Sequence, residues 1–277
     1  MNFWEKAMTT DRRVIYILLA VCIAIPLVKP LGLPVTIGQP TRAYHTVIDA
    51  LKPADTVIMS LEVGVSTAPD VFPQAQAVFQ HLMDKGVRVI IVTFAQQGAL
   101  FTNELCLAGE AGGKKYGTDF VALGFVPGGE TGLAGFAADI KKTVPVDLRK
   151  NKTEDLPILK GITSAADTKA YLGFSDGVPG PFEYVRQLQR SGVPLLVGVV
   201  TVMGPQTEPY IQSGQVKGLL TGLRGAAEYE MLMNKPGAAV AGMDAQSAGH
   251  LLIIVFILLG NIGFAITRRK QPKGGAK

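Results

Sequence analysis

Between residues 55 and 233 the apolar positions switch repeatedly between two spacings. Short, nearly continuous runs mark buried strands, and three-and-four spacing marks helices. "DTVIMSL" (55–61) is rich in strand formers, and "VRVIIVTF" (87–94) is apolar almost throughout, as in a strand covered on both faces. Between them, "PDVFPQAQAVFQHLMDKG" (69–86) brings Val71, Ala75, Val78, Phe79 and Leu82 onto one helical face and stops at Gly86. The alternation continues with a helix over 96–113, a strand at 119–125 and a helix over 130–144. The stretch 141–157, charged and bracketed by prolines, separates this series from a second one. That second series has a strand at 170–174, a helix over 181–192, a strand at 193–200, a short helix at 205–214, a strand at 215–220 and a helix over 222–233.

β-α alternation with short links predicts an α/β fold, a mostly parallel sheet with helices on both faces. In topology alone this resembles the Rossmann-like class. The two series also echo each other. "HLMDKGVRVIIVTF" and "RQLQRSGVPLLVGVV" share a helix end, a Gly-Val and a buried strand, and "LGFVPGG" (123–129) and "LGFSDGV" (172–178) share a strand end. Halves at 40–145 and 158–235 are one account of the echo, and turn chemistry common to α/β folds is the other.

Outside this block the pattern changes. "VIYILLAVCIAIPLV" (14–28) carries no charge, and neither does "LLIIVFILLGNIGFAIT" (251–267), which "RRK" follows directly. A membrane span needs roughly 20 apolar residues. The expected organisation is therefore an N-terminal tail (1–13), a first transmembrane helix (14–34), an α/β domain (40–245), a second transmembrane helix (247–267) and a basic tail (268–277). The first run has the basic start of a signal peptide but no convincing small-x-small cleavage site, which favours an uncleaved anchor.

Charge refines this picture. The net charge is +5 from 27 basic and 22 acidic residues. Three basic and two acidic residues precede residue 14, and five basic residues with no acid follow residue 267, leaving 19 basic and 20 acidic residues between. The basic character thus belongs to the tails, which removes the main support for a nucleic-acid partner. Basic residues at both outer ends predict both termini in the cytoplasm and the central domain outside it. Cys22 lies in the first apolar run and Cys106 is alone in the domain, so no disulfide forms within it. The sequon at 151–153 would matter only in a eukaryotic secretory pathway, which nothing in the chain indicates.

Candidate chemistry gathers where such sheets bind ligands, beyond the carboxyl ends of the strands. The segments expected there are 60–67, 93–98, 125–132, 174–180 and 201–207, each combining Gly with polar residues. The candidate ligand contacts are Glu62, Gln96, Gln97, Gly128, Gly129, Glu130, Thr131, Asp176 and Thr207. "FVPGGETG" (125–132) looks most like an anion cradle. However, it lacks the Lys-Ser/Thr of a P-loop, and Gly129, Gly132 and Gly135 miss the GxGxxG spacing. Glu130 also sits where a phosphate would go and suits a helix N-terminus without any ligand. Glu62 and Asp176 would form an acid pair if the halves pack about a pseudo-two-fold.

None of the three histidines, His45, His81 and His250, falls in a strand-end loop, so a Ser-His-Asp arrangement lacks a base. No spacing suggests a metal cage, and no cofactor is expected. Gly260, Asn261 and Gly263 in the second apolar run suit helix association. The leading expectation is a non-enzymatic assembly or scaffold subunit of a membrane complex, partnered by the bilayer and by itself or another membrane protein. An extracytoplasmic small-molecule sensor is the alternative, and a membrane-bound hydrolase or transferase is a third.

Overall fold

A computed structural model describes residues 11–270. The expected N-terminal tail up to residue 10 and the basic tail beyond residue 270 lie outside the described residues. The described residues form two compact units, one over 34–239 and one made of the two flanking ends, up to residue 33 and from residue 240.

The central unit is built on six parallel strands: β1 (Thr56–Glu62), β2 (Arg88–Thr93), β3 (Phe120–Phe125), β4 (Tyr171–Ser175), β5 (Leu195–Val199) and β6 (Gly218–Thr221). Their order is β3-β2-β1-β4-β5-β6. Winding therefore reverses between β1 and β4, whose registers pair Ser60 with Gly173 and Glu62 with Ser175. The continuous apolar run of β2 has the meaning the sequence suggested. Val89 and Ile91 enter one core, while Ile90 and Val92 enter the other.

Helices α2 (Gln39–Asp49), α3 (Ala68–Lys85), α4 (Gly98–Ala111) and α9 (Gly222–Leu232) cover the first core. Helices α5 (Glu130–Ala138), α6 (Ile140–Thr143) and α7 (Pro181–Leu188) cover the second, and α8 (Gly204–Gln212) packs Tyr210 and Ile211 against it. Every βα connection rises at the carboxyl end of a strand, so the helix N-termini collect along that edge. The charged stretch 141–157 joins β3 to β4 within this one sheet, and Thr153 and Leu156 on it are buried.

The helix expected over 130–144 is broken at Asp139, whose extended backbone ends α5 and whose side chain caps α6 through the Lys142 amide (3.0 Å). Helix α2 was not foreseen. It begins with Pro near its N-terminus, a favoured place for that residue, and buries only Thr41, Tyr44 and Ile48.

The flanking unit corrects the expected pair of spans. Helix α1 (Arg12–Val28) has 17 residues, about 25 Å of helix, and stops well before residue 34. Lys29 precedes Pro30, and a residue before proline is biased to extended conformations; its φ of −139° and ψ of 102° fit that bias. The amides of Leu31, Gly32 and Leu33 then converge on the Asp244 carboxylate at 2.7, 2.8 and 3.2 Å.

Helix α10 (Ala238–Lys270) starts nine residues earlier than the expected residue 247. Its part Ala238–Ile266 is the one helix among the described residues that is long and apolar enough to cross a membrane. Helix α1, at 17 residues, falls short of that length, so the described residues hold one candidate span where two were expected. Gly249 of α10 lies in ordinary van der Waals reach of Leu19 and Ile23 on α1.

Candidate ligand site at the strand ends

The reversal between β1 and β4 opens the crevice in which doubly wound sheets hold ligands. The Asp176 amide donates to the Glu62 carbonyl (3.0 Å), so both candidate acids stand at this point. Their side chains have different partners. Glu62, 1% exposed, lies between the sheet and α7. There it accepts from the Phe94 amide (3.1 Å), and it bonds the hydroxyls of Ser60 (3.0 Å) and Tyr184. Burial pushes the Glu62 carboxyl up to about 8, its hydrogen bonds offsetting only part of that shift. Tyr184 reaches Glu62 because residue 173 is glycine: a Cβ there would come within 2.3 Å of the phenol ring.

Asp176 instead faces the start of α3. It accepts from the Gly64 amide (2.7 Å) and the Thr67 hydroxyl, binding the loop after β4 to the loop after β1. Gln97 closes the same corner, its Oε1 accepting from the Val65 amide (2.9 Å). The expected acid pair is thus two acids at one place with separate hydrogen-bond partners.

The other candidates stand further along the edge. Gly128 and Gly129 take φ values of +103° and +53°, which makes "FVPGGETG" a tight strand-to-helix turn. Glu130 forms a bidentate pair with Arg186 (2.7 and 2.8 Å) and accepts from Gln187 (2.7 Å). The Arg186 hydrogen bond holds its carboxyl below the usual range. A phosphate would have to displace that carboxylate. Thr207 is buried and donates to the Met203 carbonyl of its own turn (2.9 Å). Gln96 and Thr131 are exposed. Five of the polar candidates, Glu62, Gln97, Glu130, Asp176 and Thr207, therefore have hydrogen-bond partners in the fold, and two of them, Glu62 and Thr207, are buried.

Beside exposed polar residues such as Gln96 and Thr131, the edge also exposes apolar side chains. Val65 follows β1, Leu100 lies beyond β2, Phe125 ends β3, Val178 follows β4 and Val202 follows β5. Their exposures are 59, 65, 42, 73 and 78%. Sequence reasoning missed these residues because it looked for polar groups in the Gly-rich loops. One signal was available: Gly64-Val65 and Gly177-Val178 repeat at the two strand ends that meet at the reversal. Of the echoes noted in the sequence, the β2 and β5 segments hold corresponding places in the two strand triplets. The ends of β3 and β4 do not.

On α10, Gly260 has no neighbour within 4 Å of a Cβ placed there, Gly263 is buried, and Asn261 donates to the Ile257 carbonyl of its own helix (2.8 Å). Among the described residues, no group of three or more His, Cys, Asp or Glu side chains is placed to hold a metal ion. No protein-family model, curated protein or solved structure matches this chain.

Proposed function

We propose that this chain is a membrane-anchored, non-enzymatic assembly module, with a Rossmann-like α/β unit that presents its strand-end edge to another protein. The carrying observation is a set of five exposed aliphatic or aromatic side chains along that edge, at positions 65, 100, 125, 178 and 202, while Glu62, Glu130 and Asp176 hydrogen-bond within the fold. Where exposed apolar residues form a patch they mark an interaction site, and in this reading these five do so. In this reading α10 is the anchor. The basic residues that follow its apolar stretch mark that end as cytoplasmic, which leaves the α/β unit outside the cytoplasm.

The experiment is native mass measurement of the full-length protein extracted from its own membranes, compared with a Val178→Asp/Val202→Asp variant. The reading predicts a particle well above the 29.4 kDa chain for the parent and a shift toward the single chain for the variant. A parent that runs as one chain would reject it.

A sensor reading rests on a separate observation, a buried Glu62 carboxyl, pushed up to about 8, at the point where such sheets hold ligands. Thermal-shift screening with nucleotides, sugars and amino acids tests it, and a panel that moves nothing counts against it.

A further inference from the structure

Helix α2 is the first element of the α/β unit, and it is fastened near both ends. Near its start, buried Glu228 of α9 accepts from the Gly38 amide (2.9 Å) and the Thr41 hydroxyl (2.7 Å). The fastening near its other end is of a different kind. His45 of α2 stacks on His81 of α3, with ring centroids 5.1 Å apart and planes 27° from parallel. His81 Nδ1 shares a hydrogen bond with the Tyr229 hydroxyl of α9 (2.8 Å), so three helices meet at one imidazole.

Charged groups surround the pair. On α2, Asp49 Oδ1 lies 3.9 Å from His81 Nε2. On α3, Lys85 lies 3.3 Å from Asp49, and Asp84 is paired with Lys235 at 2.6 Å. Helix α9 contributes the neutral Tyr229 phenol.

We propose that the stacked His45–His81 pair is an acid-sensitive latch, whose protonation frees the C-terminal end of α2 from α3 and α9 while the sheet stays folded. Two imidazolium rings at stacking distance repel each other, and Lys85 adds a third positive charge to the cluster. Asp49 compensates weakly, because it is largely exposed and already engaged by Lys85. Protonation also makes His81 Nδ1 an obligate donor. Tyr229, fully buried, then has to accept at its oxygen and loses Nδ1 as the acceptor of its own proton.

Burial lowers both imidazoles, His81 to about 4, and for His81 the nearby His45 and Lys85 act in the same direction. Bases lowered in the latched state favour that state above the ordinary histidine value. The latch therefore weakens as pH falls from about 6.5 toward 4.

The chain holds three histidines, so full-length protein labelled with ¹³C at histidine Cε1 gives three ring signals to follow in detergent. The paired readout is the distance between spin labels at Ala43→Cys on α2 and Asn103→Cys on α4, both exposed positions, in a Cys22→Ala background. The expected result is a single narrow distance at pH 7.5 and a second, longer population at pH 4.5, appearing as two histidine signals titrate. The far-UV circular dichroism should keep its strand and helix signal. A His45→Gln/His81→Gln variant should keep the narrow distance at both pH values. An unchanged distance at pH 4.5 in the parent overturns the proposal, and so does equal broadening in the Gln variant. If that variant does not fold, the labelled parent decides: a longer population that appears without histidine titration, or titration of both rings with no change in distance, rejects the latch.

Discussion

Replacing Glu62 by Gln perturbs one buried group while keeping its shape. In the fold the carboxyl is pushed from 4.5 up to about 8 by burial. Its proton is therefore held tighter in the folded state than in the unfolded chain. Between those values the unfolded state binds fewer protons, so stability falls as pH rises, by about 1.4 kcal/mol per unit, and levels off near pH 8. Burying this carboxyl thus costs about 3 kcal/mol at pH 7 and about 5 kcal/mol above pH 8.

A glutamine escapes this cost and can retain the contacts. Its oxygen can accept from the Phe94 amide, and its nitrogen can donate to the Ser60 and Tyr184 hydroxyls, both of which can accept. Full-length parent and Glu62→Gln protein would be melted in detergent from pH 5 to 8.5, following circular dichroism. The two should nearly coincide at pH 5 and diverge above it, the variant melting higher by roughly 6–12 °C at pH 7, taking 2–4 °C per kcal/mol for a unit of this size. Because every other titrating group is common to both proteins, their difference isolates Glu62. A difference independent of pH, or a variant less stable at pH 8, would refute the reasoning.

Other substitutions test neighbouring contacts by the same melts or by denaturant titration. Gly173→Ala puts a methyl 2.3 Å from the Tyr184 ring, and it should cost about 2–3 kcal/mol as the phenol is forced away from Glu62. Asp176→Ala leaves the Gly64 amide without its acceptor and the Thr67 hydroxyl with only the Gly64 carbonyl, and it should cost about 1–3 kcal/mol. Glu228→Ala removes the acceptor shared by Gly38 and Thr41, and it should cost about 2–3 kcal/mol with selective loosening of α2 in hydrogen exchange. Val178→Asp, at a side chain 73% exposed, should change folding stability by no more than about 0.5 kcal/mol, so any effect on assembly is a surface effect.

The strands and most helices were legible because each carries its own periodicity. The run 87–94 needed no partner to be recognised, and Val71, Ala75, Val78, Phe79 and Leu82 alone draw the buried face of α3. Helix α2 escaped because its three buried positions are sparse and two of them are Thr and Tyr. The first span was read too long because it was carried beyond the uncharged run, past Lys29 and Pro30, where the chain leaves the helix.

The site was legible in place but not in chemistry. Gly-rich segments located the strand-end edge, since glycine and capping residues are needed wherever strand passes to helix. Whether a polar side chain there faces solvent depends on partners far away in sequence. Glu130 is engaged by Arg186, 56 positions on, Gly64 by Asp176, 112 on, and Glu62 by Tyr184, 122 on. No local pattern encodes such pairings.

Site-specific photo-crosslinking in intact membranes addresses the central claim most directly. A photoreactive residue would be placed at Val178, at Val202, and at Leu107 on α4, an exposed apolar control away from the strand ends. The account predicts discrete adducts with another polypeptide from positions 178 and 202 and none from 107. Absence of adducts at 178 and 202, or equal adducts from all three positions, would contradict it.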